Sequence, residues 1–522
     1  MNRAAMYLLA TLCLLLSGCD SATGSDGLRA LAVEPDYRPQ YHFTAPTNWL
    51  NDPNGLVYYQ GEYHLFYQYN PEGSTWGHMN WGHAVSRDLV RWEHLPVALR
   101  EEDGWMMFSG SVVVDWQNTS GFGKDGEPPM VALYTGHRTR DNRQVQAVAY
   151  STDRGRTWTK YGGNPVIDIG STDFRDPKVF WYEPGQTWVM VVALSQERKV
   201  RFYSSPDLKQ WTYLSDFGQL GSVWGVWECP DLFPLAVDGD PQNVRWVLEV
   251  DVSGGGPTGG SAGQYFLGRF DGTTFTLDGS AEPRWVDYGA DFYASLSWSD
   301  IPRDDGRRVM LGWMNNQWYA NAIPTSPFRG SMSIPRVLGL GSTPGGIRLV
   351  QQPAAELQSL RGTPVRVEGL ELESRSVPLA ERGVAGRAME IIAEFEVGTA
   401  TEVGLQVRQG GNEETLVGVN VAGSQLFVDR TRSGSTGFHP GFAARHAGPL
   451  TVRDGRVRLH VFVDWSSVEV FGGEGETVLT DQIFPTGVND GVSVYARGGR
   501  ARLVSLEAWP LSGAGIQAPS GN

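Results

Sequence analysis

Cysteine is scarce: the 522 residues hold three, Cys13, Cys19 and Cys229. A disulfide framework is therefore excluded, and stability must come from a large apolar core. Charge is thin as well. Asp, Glu, Lys and Arg make up 19% of the chain, which excludes a disordered polyelectrolyte. Positive charge is the scarcer sign, 43 Lys and Arg against 58 Asp and Glu for a net −15. That balance argues against nucleic acid and against an anionic membrane surface as partners. It is compatible with a neutral substrate such as a sugar. Helical periodicity is lacking too, apart from a short candidate over 353–360. What is abundant is punctuation, with 65 Gly and 30 Pro, and tryptophan, with 19. Many short strands joined by turns follow from this, in two or three domains.

Residues 1–18 read as an export signal. Arg3 precedes an apolar run from Met6 to Leu16 that is too short to cross a bilayer of roughly 30 Å. The run ends in Leu16-Ser17-Gly18-Cys19, which resembles the bacterial lipoprotein box, where the Cys is lipidated after cleavage. An ordinary secretory signal is the alternative. On the first reading Cys19 carries lipid, 19–38 form a flexible tether, and the membrane is reached only through that anchor. Cys229 then stands alone in the mature domain.

A unit recurs four times: a β-like run, Ser or Phe, Asp in a turn, and an aromatic opening the next strand. Its copies run through Ser86 and Asp88 to Trp92, Ser151 and Asp153 to Trp158, Ser205 and Asp207 to Trp211, and Phe270 and Asp271 to Phe275. The spacing is roughly 50 to 70 residues, as for a four-stranded unit with variable loops. A fifth set of strands, its third at 330–338, follows before residue 350. The expectation is an all-β chain: a five-bladed β-propeller over 39–350, then a C-terminal β-sandwich. A linker at 351–363 leads to the sandwich at 364–511, where alternation is stricter, and 512–522 read as a disordered tail.

In a propeller the first strand of each blade lines the channel. Those strands are placed at 55–59, 109–115, 178–182, 231–235 and 292–298, and are opened by Asp52, Ser109, Asp176, Glu228 and Asp291. Blade pseudo-symmetry would gather four acids at one mouth. Two carboxylates flanking a bond are the minimal equipment for glycoside hydrolysis, one ionised to attack and one protonated to donate. Asp52, between Asn51 and Pro53-Asn54-Gly55, sits among polar groups that would hold it ionised. Glu228 follows Trp224-Gly225-Val226-Trp227, an apolar setting suited to a protonated acid. Arg175 favours an ionised Asp176, which could hold sugar hydroxyls. His42, His64, His78 and His83 have no zinc-motif spacing and read as structural. Cys229 reads as a buried residue shaping the acid's surroundings. Trp318, Tyr319 and Phe328 suit either outer subsites or packing.

Trp49-Leu50-Asn51-Asp52-Pro53-Asn54-Gly55, Phe174-Arg175-Asp176-Pro177 and Trp227-Glu228-Cys229-Pro230-Asp231 resemble, in order, the three signature blocks of glycoside hydrolase family 32. That is the family of invertases, inulinases and levanases. The resemblance spans about 41–511. It implies Asp52 as nucleophile, Glu228 as general acid/base and Asp176 as transition-state stabiliser. It also implies substrate contacts at Asn51, Gln68, Trp76, Phe108, Ser109, Arg175 and Trp313. The implied mechanism is retaining, with the Asp52 and Glu228 carboxyls roughly 5–5.5 Å apart. It requires no metal or cofactor. Asp52 in the first block and the stretch Asn118-Thr119-Ser120-Gly121-Phe122 look like exo-acting bacterial fructanases, which release terminal fructose from β-2,6 and often β-2,1 chains. The expected substrate is a fructan, levan with inulin and sucrose as further candidates. An endo-levanase, an invertase and a non-catalytic fructan-binding lipoprotein are the alternatives. One departure is Asp464-Trp465, where the family usually has Asp-Arg. It puts in doubt a role for position 465 at the domain interface.

Overall fold

A computed structural model describes residues 37–514. The export signal, Cys19 and tether residues 19–36 lie outside the described residues. The chain is almost entirely β, a five-bladed propeller followed by a sandwich.

Blade I comprises Asn48–Tyr59, Glu62–Asn70, Asn80–Ser86 and Trp92–Leu99. Blade II comprises Trp105–Val114, Met130–Arg138, Arg143–Ser151 and Thr159–Lys160. Blade III comprises Phe174–Tyr182, Thr187–Leu194, Lys199–Ser205 and Thr212–Gly218. Blade IV comprises Trp227–Val237, Asp240–Val252, Ala262–Phe270 and Phe275–Leu277. Blade V is built from Tyr293–Ser297, Arg308–Trp313, Arg336–Thr343 and Gly346–Pro353. Inner strands such as Asn48–Tyr59 are buried nearly throughout because neighbours cover both faces. The outermost strand of blade III is partly or fully exposed along its length. The ring closes where Phe328–Arg329 pairs parallel with Asn48 and Trp49, and where Val57 bridges Ser299.

The recurring Asp turn has one physical form in three of its four copies; in the other, Asp153 Oδ1 accepts the N–H of Thr157, four residues on. Asp88 Oδ1 accepts the N–H groups of Val90 and Arg91, and Asp207 Oδ1 those of Lys209 and Gln210. Asp271 Oδ1 accepts Thr273 and Thr274 in the same way. The next residue is left-handed each time: Leu89 (φ 60°), Arg154 (φ 60°), Leu208 (φ 62°) and Gly272 (φ 94°). An Asp that hydrogen-bonds the backbone ahead of it stabilises this turn between the third and fourth strands.

Two expectations shift. The third strand of blade V begins at Arg336, not Gly330. Pro335 has no N–H to give a ladder, and the preceding N–H groups serve three other segments. Met332 donates to the Phe43 carbonyl, Ser333 to the Gly312 carbonyl, and Ile334 to Glu469 Oε1. The domain edges shift as well. Tyr37 and Arg38, assigned to the tether, are docked, Tyr37 against Phe484 and Arg38 on Thr44, Ala45 and Pro46. Ser512 and Ala514, assigned to the tail, donate to the Leu360 and Gln40 carbonyls.

The connector is a 3-10 turn, Ala355–Leu360, with Leu357 and Leu360 buried. The sandwich packs two six-stranded antiparallel sheets. Its core follows the alternation: Ile391, Ala393 and Phe395 point inward, and Glu396 is exposed. Ion pairs buried between the domains join them. Arg336 of the propeller donates to Asp287 Oδ2 at 2.9 Å and to Glu469 Oε2 of the sandwich at 2.6 Å. Its guanidinium lies 4.1 Å from the Phe292 ring centre. These contacts hold Glu469 down at about 2 despite burial. His42 bridges Asp464 and Glu469, which raise it to about 9 against the opposing effect of burial. Asp464 also accepts the N–H groups of Gln40 and Tyr41. Trp465 lies under Arg387 within the sandwich, its ring centre 3.9 Å from the guanidinium carbon.

Candidate active site

The three carboxylates meet because all five inner strands break register at one level. In blade I, Leu50 and Pro53 pair with Tyr69 and Tyr67, so three steps on one strand face two on the other. The same extra residue lies between Met107 and Gly110, Arg175 and Lys178, Glu228 and Asp231, and Tyr293 and Leu296. A bulge bends the strand and re-aims its side chains. Asp176 (φ 65°), Cys229 (φ 47°) and Ala294 (φ 53°) occupy the same bulge position in left-handed geometry. The strands that carry Asp52, Asp176 and Glu228 thus begin before the acid. A bulged Asp next to Pro looks like a turn residue in the sequence, so the strands start earlier than expected.

One cavity of about 320 Å³ is lined by Asn51, Asp52, Gln68, Trp76, Phe108, Ser109, Arg175, Asp176, Glu228 and Trp313, all ten residues expected from the sequence. Trp49 lines it too. Asp291 does not. It is fully buried against the sandwich, where Oδ2 accepts Arg430 Nη1 at 2.5 Å and Oδ1 accepts the Tyr319 hydroxyl at 2.7 Å. Two residues further on, Tyr293 takes the bulge position in blade V that Glu228 has in blade IV. The acid series misled by that offset.

Asp52 Oδ2 accepts the Ser109 hydroxyl at 2.6 Å, and Oδ1 accepts the Asn51 amide at 2.9 Å. Asn51 is itself fixed by Trp49 Nε1 at 2.6 Å. Burial pushes the Asp52 carboxyl above its ordinary value, with Glu228 adding to it, and the Ser109 and Asn51 bonds only partly oppose the rise. The expected polar cradle is present, but burial outweighs it.

Glu228 sits in polar company rather than the expected apolar pocket. Trp227 turns into the core with its N–H on the Ser222 carbonyl, and Trp224 is 86% exposed. Glu228 Oε1 instead receives Arg175 Nε and Nη2, both at 3.1 Å. Oε2 receives the Tyr293 hydroxyl and, at 3.0 Å, Gln317 Nε2.

Asp176 Oδ2 accepts the Cys229 N–H at 3.0 Å, while Arg175 Nε stays 4.0 Å away. The guanidinium is committed to Glu228, so it does not hold Asp176 low as expected. Burial, helped by Glu228 and Asp52, pushes Asp176 up to about 7, and Arg175 only reduces the rise. Cys229 is buried, its Sγ 3.6 Å from Asp52 Oδ2 and 3.8 Å from Asp176 Oδ2. It fills the space between the two acids, and its own thiol is driven up by burial and their charges.

Aromatic groups wall the cavity. Trp313 lies 5.9 Å from Trp49, and Trp76, 49% exposed, packs edge-on to Phe108 at 5.9 Å. Trp318 is half-exposed near the mouth, whereas Tyr319 and Phe328 are buried packing residues. Gln68 is pinned by its amide to the Met107 carbonyl at 2.9 Å. Tyr293, Gln317 and Asn321 line the cavity without having been assigned roles from sequence. Tyr293 was recoverable from the blade frame. Gln317 and Asn321 come from the segment after Arg308–Trp313, where no repeat marks them. The histidines serve structure: His64 and His83 share a 3.1 Å contact, and His78 meets Glu101.

Family models for the N-terminal and C-terminal domains of glycosyl hydrolases family 32 match residues 42–353 and 356–510. A levanase of Bacillus subtilis (strain 168) is 51% identical over 98% of this chain and 75% of its own length. An extracellular exo-inulinase of Aspergillus ficuum is 43% identical over 91% of this chain and 93% of its own. The crystal structure of an exo-inulinase from Aspergillus awamori superposes with a TM-score of 0.86 at 40% identity, covering 92% of this chain and 99% of that one. Matched across both domains, in sequence and in fold, the chain belongs to glycoside hydrolase family 32.

Proposed function

We propose that this chain is a retaining, exo-acting β-fructofuranosidase that releases terminal fructose from β-fructans, levan foremost, with inulin and sucrose as further substrates. The observation that carries this reading is one small cavity in which three carboxylates have three different sets of partners. Asp52 attacks the anomeric carbon and forms a covalent fructosyl-enzyme, while Glu228 gives its proton to the leaving oxygen. Glu228 then takes a proton from the water that releases fructose. Arg175 can only donate to Oε1, whereas the Tyr293 hydroxyl at Oε2 can turn to accept, so Oε2 is the oxygen able to carry the proton. Asp176 accepts fructosyl hydroxyls and stabilises the positive charge developing on the ring. Asn51 and Ser109 fix the attacking carboxylate.

A volume of about 320 Å³ is at the small end for ligand sites and suits a chain end better than a long internal run. The levanase and exo-inulinase relatives support fructan as substrate. The Leu16–Cys19 sequence supports a lipid anchor on the bacterial cell envelope. Thin-layer chromatography of a levan digest tests the exo reading. Fructose alone from the first minutes is expected; an early ladder of oligomers overturns it.

A further inference from the structure

A second cavity, larger than the one holding the carboxylates, is at the other end of the channel. It encloses about 980 Å³ and is lined by the far ends of the inner strands, Val113 and Val114 of blade II, Phe180 to Tyr182 of blade III, and Leu232 and Pro234 of blade IV. Six residues of strand separate Asp176 from Tyr182, which puts the two mouths ~20 Å apart. Between the two levels Asp231, Glu249 and Asp251 are fully buried against Ser295 and Ser297 of blade V. The two cavities share no lining residue.

Three features make this far cavity a built surface. Trp116 stands 59% exposed yet rigid, its Nε1 fixed on Asp300 Oδ1 at 2.9 Å and its ring edge-on to Tyr59. Trp181 packs edge-on to Trp188 at 5.1 Å, and its own Nε1 is buried with no hydrogen-bond partner. Trp188 in turn is fixed on Thr119, which Asp115 holds. A buried donor without an acceptor is costly in a native fold and asks for a ligand oxygen. The charged groups at the floor already have partners. Lys178 donates to the Ser297 carbonyl, Arg308 to the Trp298 carbonyl, and Asp300 accepts the Val114 N–H. Pinned indoles, an orphan donor and floor charges already engaged suit a neutral polyhydroxylated ring, whose C–H face lies on indole while its hydroxyls bond at the edge.

We infer that this far cavity is a second, non-catalytic site that grips a fructan chain while another chain end of the same polymer is hydrolysed. The inference rests on the fructan reading above. It also gives a place to the Asn118–Phe122 stretch, which lies on this side of the propeller and supplies Thr119 to the wall. Two sites engaging one branched polymer raise its effective concentration at the catalytic mouth without any new contact there.

The test uses the full chain. Trp116→Ala removes the platform, and Trp181→Phe keeps the ring but deletes the orphan N–H. Both are compared in native gels containing levan, in a Glu228→Gln background that prevents digestion, and by kinetics in the active background. The expected result is sucrose turnover within about twofold of the parent, weaker retardation by levan, and a levan KM raised roughly 3- to 10-fold at constant kcat, the range for losing one aromatic contact. Unchanged retardation and unchanged levan KM in both variants overturn the second site. Retardation by dextran but not by levan overturns its ligand class. Failure of the parent chain to hydrolyse any fructan overturns the proposed function instead, and the gel comparison still reports on the cavity.

Discussion

Asp176→Asn is expected to make the protein more stable, and more so at high pH. In the fold this carboxyl is pushed from 3.8 to about 7 by burial and by Glu228 and Asp52. A native state with a raised carboxyl binds a proton that the unfolded chain releases. Its relative stability is therefore full below about pH 4 and declines as pH rises toward 7. The difference between 3.8 and about 7, at ~1.36 kcal/mol per tenfold change in proton affinity, sets a ceiling of about 4 kcal/mol. Asn imitates the protonated acid, keeping an oxygen for the Cys229 N–H. The variant should match the parent near pH 4 and exceed it at pH 8 by up to about 4 kcal/mol. Urea unfolding at both pH values, followed by tryptophan fluorescence, reads this directly. In a chain of this size the midpoint temperature should rise by a few degrees at pH 8. Destabilisation at pH 8, or the same offset at both pH values, would refute the argument that burial dominates this carboxyl. Activity should meanwhile fall by orders of magnitude, making the site a place where stability is given up for chemistry.

Asp52→Ala and Glu228→Ala should each lower kcat on sucrose by several orders of magnitude with folding intact, measured by glucose release and circular dichroism. Near-normal turnover in either would cancel its assigned role. Tyr293→Phe removes a donor from Glu228 Oε2 and should cut kcat at least about tenfold with little change in KM. Arg430→Met strands Asp291 at the domain interface and should cost about 3–5 kcal/mol in urea unfolding, with much of it regained when Asp291→Asn is added. If the double variant is no more stable than the single one, the pair is not coupled as described.

The blades were legible because a turn repeated. Ser-x-Asp before an aromatic marks the same corner in three blades, and Phe270-Asp271 marks it in a fourth. What stayed hidden was register. The inner-strand bulges leave no compositional trace beyond a Pro or Gly, so Asp291 was grouped with the site when Tyr293 belongs there. The electrostatics were also hidden. Sequence adjacency suggested that Arg175 serves Asp176, but a left-handed turn at Asp176 sends the guanidinium to Glu228. Trp224 and Trp227 read as an apolar wall around Glu228, yet one faces solvent and the other the core. Adjacency along a bulged strand is a poor guide to adjacency in space.

The buried ions between propeller and sandwich bear on how the chain could be shortened. Asp287, Asp291 and Arg336 belong to the first domain, yet Thr480, Arg430 and Glu469 of the second complete their coordination. A gene cut at the 355–360 turn would produce a propeller with those groups bared on its flank and the Ile334 N–H stripped of its acceptor. Such a fragment would be expected in inclusion bodies rather than in an activity assay. On this expectation the sandwich is needed for a folded propeller whether or not it ever touches sugar.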